Sequence, residues 1–393
     1  MPRFNAIAAP GLENIVAEEL RGFGLAGEVL PGGVVFEAGL ADAVSLVRES
    51  RTPARILHEV VEGRVHTLEE LVGLVRKGNW KGLLHPLAKL EVTATCARSR
   101  LRFREVVQRK VAWAVTEVLK GPRVVDREKR PGITQSLKVR IVDDICTLSL
   151  DMAGELLHFR GWRQEQGPAA MRENLATSCL LAMGWTGETP LVDPFCGSGT
   201  IPIEAALFAL GRSPFSSRRS FACDEWPLLN SAKKPQGAKG RPGPGAASGA
   251  GARSARGAAH VARNAAQIST PPVPIFGSDR DARVLAAASA NAKRAGVDIT
   301  FRRLDVSELV APAELGLVFT NPPWGERLSP DARTVARTWD DFGGVLRAHF
   351  GGWRAGFVCP DPGLARRAHP RARRVLKFPN GGIDVGLWAI DEL

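Results

Sequence analysis

The segment that most restricts the fold is Asp193-Pro194-Phe195-Cys196-Gly197-Ser198-Gly199-Thr200, a glycine-rich turn between the short apolar run at 191–193 and the apolar stretch at 201–210. A strand that passes through glycines straight into a helix opens a strand–helix–strand unit, and such units stack into a parallel sheet with helices on both faces. The residues that follow keep this rhythm, with strands expected at 273–277, 298–304, 315–320 and 356–359 and a closing hairpin at 373–378 and 383–390. From residue 160 to 393 the chain therefore reads as a Rossmann-like α/β domain.

What precedes it has a different grain. Residues 4–9 read as a strand, Leu12, Ile15, Val16 and Leu20 recur at helical spacing, 34–36 read as a second strand and 41–48 as an amphipathic helix. That defines an α+β unit over 1–53. A second α+β unit over 54–159 follows, with strands at 56–61, 89–95, 136–141 and 146–151 and helices at 68–75 and 103–119. Three units suit 393 residues, because single cores stop growing near about 250–300 residues. Inside the last unit, 227–272 is rich in Gly, Ala, Pro and Ser and carries Lys233, Lys234, Lys239, Arg241, Arg253, Arg256 and Arg263 with no acid. It reads as a disordered basic low-complexity insertion, since its centre holds too little apolar surface to fold.

Lysine and arginine exceed aspartate and glutamate by 53 − 41 = 12, a balance that favours a polyanionic partner such as nucleic acid or serves only to keep the surface soluble. A local cluster favours the first reading. Arg98, Arg100, Arg102, Arg104 and Lys110, with Arg109 beside them, lead into and along a helix whose inner face is read as Val106, Val107, Val111 and Val115. These five cations are the candidate phosphate contacts for a nucleic-acid backbone. The six cysteines are scattered without a CxxC pair, and the histidines lack ligand spacing, so neither a disulfide framework nor a metal site is expected. The N-terminus lacks a basic region followed by an apolar one, and no 18 apolar residues run together, so no membrane partner and a cytoplasmic location are expected.

Chemistry concentrates at four strand ends. Gly197 and Gly199 let the backbone approach a ligand, and the amides at the start of the following helix offer donors to its polar groups. The spacing is not the GxGxxG of dinucleotide sites. Asp279 ends the next strand, where a carboxylate in a doubly wound fold can accept both ribose hydroxyls. Asp305 ends the one after, suited to an adenine amino group or simply to capping a helix. After the fourth strand stands Asn321-Pro322-Pro323-Trp324. An exocyclic base amine is a poor nucleophile because its lone pair is delocalised into the ring. The Asn321 side-chain oxygen and the Pro322 carbonyl, stiffened by Pro323, form a pair of acceptors able to grip its N–H groups and aim the lone pair at a methyl sulfonium. Trp324 is placed to stack on an extruded base.

Together, Asp193 to Ala206 (DPFCGSGTIPIEAA) and Asn321 to Leu328 (NPPWGERL) resemble the THUMP-domain RNA methyltransferases, in particular the bacterial enzymes that form N2-methylguanosine in large-subunit ribosomal RNA. The resemblance spans nearly the whole chain. Ala9-Pro10-Gly11-Leu12-Glu13 looks like the family's ferredoxin-like opening, 54–159 like its THUMP module, and His158 to Arg163 and Met171 to Ala176 like the joining strand and the helix over the cofactor. Ser220 to Pro227 is similar to a segment of the ribosomal branch. The resemblance implies S-adenosyl-L-methionine as cofactor, bound by Asp193, Pro194, Cys196, Gly197, Ser198, Gly199, Thr200, Asp279, Asp305 and Asn321, and a target base held by Asn321, Pro322 and Trp324. It implies RNA as partner, ribosomal RNA ahead of transfer RNA, with no obligate protein partner.

Three departures stand out. Family members usually carry Tyr where Trp324 and Trp162 stand, the basic insertion is unusual, and some bacterial relatives carry a second fused methyltransferase domain for which this chain has no room. Competing readings are a transfer RNA guanine-N2 methyltransferase, an adenine-N6 methyltransferase served by the same Asn-Pro-Pro-aromatic turn, and an RNA-binding or ribosome-assembly protein without catalysis. Gly197, Gly199, Asp279 and Asn321 count against the last of these.

Overall fold

The computed structural model describes residues 1–85, 88–119, 134–165, 171–215, 220–231, 268–325 and 331–393. The central part of the basic insertion, 232–267, lies outside the described residues.

The first seven strands are β1 (Arg3–Ile7), β2 (Gly27–Leu30), β3 (Gly33–Glu37), β4 (Arg55–Arg64), β5 (Lys89–Ala97), β6 (Thr134–Val142) and β7 (Ile145–Asp151). They form one sheet in the order β2-β3-β1-β4-β7-β6-β5. The two N-terminal α+β units read from sequence therefore share a sheet, since β1 pairs antiparallel with β3 on one side and β4 on the other, setting Phe4 opposite both Phe36 and His58. They share a core as well. Val16 and Leu20 of helix Glu13–Gly22, Val47 of Leu40–Glu49, Leu71 and Val75 of Leu68–Arg76, and Val107, Val111 and Val115 of Arg104–Leu119 all enter one apolar cluster. Val106, expected on the inner face of the last helix, is only half-buried, and Ala114 takes the fourth inner place. Strand β2 was not expected because all four of its residues are exposed, so it shows none of the alternation that marks a half-buried strand.

The second sheet comprises β8 (Leu191–Asp193), β9 (Ile275–Asp279), β10 (Thr300–Arg303), β11 (Leu317–Thr320), β12 (Arg354–Cys359), β13 (Arg373–Asn380) and β14 (Ile383–Ile390). Its order is β10-β9-β8-β11-β12-β14-β13, with β10 through β12 parallel and β14 antiparallel to both neighbours. Strand order reverses between β8 and β11. The chain leaves β8 towards β9 on one side and returns as β11 on the other, which opens a crevice at the carboxyl ends of these two strands, where ligands bind in open α/β sheets.

Several contacts hold the two sheets together. Gly11, at φ +89°, turns so close to β13 that an added Cβ would fall 2.0 Å from the Lys377 carbonyl oxygen, and its neighbour Leu12 is buried in the core of the second sheet. In return, Phe221, Cys223 and Trp226 bury themselves in the core of the first sheet, with Trp226 tilted against His58 at 5.7 Å. Apolar surroundings push the His58 imidazole down to about 4. The start of the insertion is thus ordered, with helix Pro227–Ser231 following this strap, and its end carries a bridge between Ser269 and Val297. At the start of the stretch the cause is apolar: Trp226 and Leu229 reach the core of the first sheet.

Candidate active site

The glycine turn leaves β8 and enters helix Thr200–Ala209. Gly199 caps that helix in the left-handed region at φ +84°, and a side chain there would press on Ala288 at 3.1–3.3 Å. Gly197 is also left-handed, at φ +52°, but an added Cβ would meet nothing within 4 Å. Gly199 is required by packing, whereas Gly197 faces open space.

Asp279 shapes this turn from the end of β9. Its Oδ2 accepts from the Gly197 amide at 3.1 Å and its Oδ1 from the Asp281 amide at 3.0 Å. Each oxygen has a second lone pair, so the carboxylate retains acceptor capacity for ribose hydroxyls. The Cys196 amide donates to the Ser278 carbonyl at 2.9 Å, which lays the loop across the neighbouring strand. Burial pushes the Cys196 thiol well above its ordinary value, so it is a packed neutral group against Gly277.

Asp193 points under the turn rather than out of it. It is 1 % exposed, and its Oδ1 accepts from the Phe195 amide at 3.1 Å and the Thr320 hydroxyl at 2.6 Å. Burial raises its carboxyl to about 7, with nearby Asp279 adding to the rise and the two hydrogen bonds opposing it. Asp305 is exposed and caps the turn Val306–Glu308: its Oδ1 accepts from the Ser307 hydroxyl at 2.8 Å and amide at 3.1 Å, which lowers its carboxyl. The capping role weighed in the sequence is therefore present.

Residues 321–325 continue from β11, whose register with β8 sets Val318 opposite Val192. The Asn-Pro-Pro-Trp turn and the glycine turn thus emerge side by side from adjacent parallel strands. Pro322 is buried, and the Pro323 carbonyl accepts from Trp339 Nε1 at 3.0 Å, a buried indole on helix Ala332–His349. Trp324 is half-buried against both cores flanking the second sheet.

Several residues that complete the site carried little or no sequence signal. Thr320 ties the two loops together. Asn291, wholly buried in helix Ala282–Ala295, donates to the Ser198 carbonyl at 3.1 Å and the Glu165 carbonyl at 3.0 Å, fixing the back of the glycine turn. An asparagine on the same stripe as Leu285, Ala288 and Ala292 was the available clue. Arg163 donates to the Thr200 hydroxyl at 2.7 Å and pairs with buried Glu173 at 3.2 Å, whose carboxyl burial raises to about 7.

The proposed RNA-contacting cations lie apart from this site, before and along helix Arg104–Leu119 in the first sheet's half. Arg98 is committed to Asp143 through two 2.8 Å bonds, while Arg102 lies over the Phe103 ring at 5.6 Å and Lys110 over the Trp113 ring at 4.9 Å. Among the described residues no cluster of three His, Cys, Asp or Glu could hold a metal ion, and no helix is long and apolar enough to cross a membrane.

Counted within the second sheet, the strand order is 3-2-1-4-5-7-6, and with a glycine turn after strand one, an acid after strand two and Asn-Pro-Pro-Trp after strand four the fold and site define a Rossmann-like methyltransferase. Residues 160–387 match the RMKL-like methyltransferase domain and residues 3–57 the RlmL ferredoxin-like domain. The chain belongs to the RMKL-like methyltransferase family. It is 31% identical over 399 residues to ribosomal RNA large subunit methyltransferase K/L of Vibrio campbellii, covering 98% of this chain and 52% of that protein, so it spans about half the length of the curated relatives it matches. Among solved structures it is similar to a predicted N6-adenine-specific DNA methylase of Listeria monocytogenes (29% identity, 98% and 96% of the chains, TM-score 0.79). A second is a putative methyltransferase complexed with SAH (25% identity, 100% and 98%, TM-score 0.78).

Proposed function

We propose that this chain transfers a methyl group from S-adenosyl-L-methionine to the exocyclic N2 amine of a guanine in large-subunit ribosomal RNA. The observation that carries the reading is the adjacency of the glycine turn and the Asn-Pro-Pro-Trp turn, joined through Thr320 and Asp193 at 2.6 Å. The names of the curated relatives support ribosomal RNA as the substrate.

The residues present fit the cofactor. The space beyond Gly197, the spare lone pairs of Asp279 and the buried Ser198 hydroxyl, without a hydrogen-bond partner among the described residues, would form a cradle for its polar groups. When bound, the cofactor supplies an electrophilic methyl on a sulfonium. Pro194, Cys196, Gly197, Ser198, Gly199 and Thr200 would line its methionine end from the turn, Asp193 would support them from beneath, Asp279 would take the ribose, and Asp305 would lie at the adenine. The Asn321 amide oxygen and the Pro322 carbonyl oxygen would hold the two N–H groups of the target amine, turning its lone pair towards the crevice, and Trp324 would stack on the base. Held this way, the amine would present its lone pair to the methyl group the cofactor supplies, and one of its protons would leave to solvent as the new nitrogen–methyl bond replaced the methyl–sulfur bond. Positioning supplies the acceleration, so no general base of matched pKa is required.

Residues 1–53 and 54–159 would act as ferredoxin-like and THUMP modules that present the RNA, and the enzyme would work in the cytoplasm without a metal. Mass spectrometry of nucleosides from ribosomal and transfer RNA of a deletion strain tests the reading. Loss of N2-methylguanosine from large-subunit RNA is expected; loss only from transfer RNA, or loss of N6-methyladenosine instead, would overturn it.

A further inference from the structure

The helix Arg104–Leu119 leaves two large aromatic side chains in water. Phe103, just before its start, is 67% exposed and Trp113 is 47% exposed. The chain buries or half-buries its eight other tryptophans, and all nine lie among the described residues, so this exposure is unusual within the molecule. At 100° per residue, Phe103, Lys110 and Trp113 fall within about 80° of one another on the helix surface. Each ring carries a cation, Arg102 at 5.6 Å from the Phe103 centroid and Lys110 at 4.9 Å from that of Trp113.

The charge around them has one sign. Between residues 98 and 116 stand six cations and a single acid, Glu105, and of the six Arg98 is paired with Asp143. Arg102 and Lys110 therefore lie over two solvent-facing π surfaces, with Arg100, Arg104 and Arg109 close to them along the chain. An apolar protein partner would gain little from rings flanked by so many cations. An unpaired nucleic-acid strand gains twice: phosphates meet the cations, and bases, which have a π face whatever their identity, stack on the rings. A duplex offers its phosphates but keeps its bases stacked inside.

We infer that Phe103 and Trp113 form a stacking platform for unpaired RNA bases, which holds a single-stranded stretch of the substrate on the N-terminal half while the target base enters the crevice at β8 and β11. This rests on the reading that the chain acts on RNA. It adds the form of RNA recognised at this helix, unpaired rather than duplex.

The test measures binding of a fluorescein-labelled, unpaired RNA of about a dozen mixed-sequence nucleotides, and of a duplex of equal length, to the full chain at several salt concentrations. Both aromatics are exposed, so Phe103→Leu and Trp113→Leu should leave thermal unfolding unchanged. Each should weaken binding of the unpaired strand roughly tenfold while leaving the duplex and the salt slope as they were. The double variant Arg102→Gln/Lys110→Gln should instead lower the salt slope by about 1.4, near 0.7 for each charge on single strands. Leucine variants that bind the unpaired strand like the parent, or that lose strand and duplex equally, would overturn the platform. Failure of methyl transfer to ribosomal RNA would leave this result standing, because it reads binding without the cofactor.

Discussion

The Thr320 hydroxyl donates a 2.6 Å hydrogen bond to Asp193 Oδ1, and both residues are buried, at 0% and 1% exposed. Thr320 is the last residue of β11 and precedes Asn321; Asp193 is the last of β8 and opens the glycine turn. Beyond the pairing of the two strands, this bond therefore ties the loop that would hold the cofactor to the loop that would hold the base. Thr320→Val keeps the shape and removes the donor, leaving a buried carboxyl short of a partner. It should cost about 1–3 kcal/mol in thermal unfolding and lower kcat more than cofactor affinity, with Thr320→Ser restoring both.

Asp193 also makes a pH prediction. Its carboxyl rises from 3.8 to about 7 on folding because burial disfavours the charge. A group raised in this way contributes stability that is present below about pH 4 and is lost as pH climbs through about 7. Asp193→Asn keeps an acceptor for Thr320 and Phe195 but cannot ionise. Relative to the parent, its urea midpoint should gain between pH 5 and 8, while Glu173, raised to about 7 by its own burial, leaves a residual decline in both proteins. A variant whose midpoint parallels that of the parent across this range would contradict the assignment.

At the end of β9, Asp279 holds the Gly197 and Asp281 amides at 3.1 and 3.0 Å. Asp279→Ala should weaken S-adenosyl-L-methionine binding by tenfold or more in calorimetry, through lost ribose acceptors and a loosened turn together. Asp305→Ala, which removes an exposed cap, should cost about 1 kcal/mol of stability at most sites of this kind.

Between the two halves, Arg160 and Glu204 are both fully buried, with Arg160 also donating to the Leu157 carbonyl at 2.9 Å and the Arg51 carbonyl at 2.5 Å. Arg160→Met strands the Glu204 carboxylate, which keeps the Thr177 hydroxyl as a donor at 2.7 Å. It should destabilise by about 3–5 kcal/mol, and adding Glu204→Met should recover most of that loss in denaturant titration.

Much of this architecture was legible in the residues. The parallel sheet followed from the spacing of apolar runs around Leu191, Phe319 and Phe357, and the crevice from the turn chemistry at Gly197 and Asn321, because both signals are local. The fusion of two N-terminal units into one sheet was hidden: the β1 to β4 pairing joins residues some fifty positions apart, and no local pattern encodes a partner. The strap at 220–231 was hidden for a similar reason, as Trp226 leaves the catalytic unit's sequence to join another core. Thr320 and Asn291 act through single long-range hydrogen bonds, which composition and periodicity do not register.

The most direct test of the central claim is methyl transfer by the purified chain from isotope-labelled S-adenosyl-L-methionine to unmodified large-subunit ribosomal RNA, read by nucleoside mass spectrometry beside Asn321→Ala. Label should appear in N2-methylguanosine with the parent, and Asn321→Ala should lose roughly a hundredfold or more of that rate while still binding the cofactor in calorimetry. Label in N6-methyladenosine, or an Asn321→Ala enzyme as fast as the parent, would contradict the account.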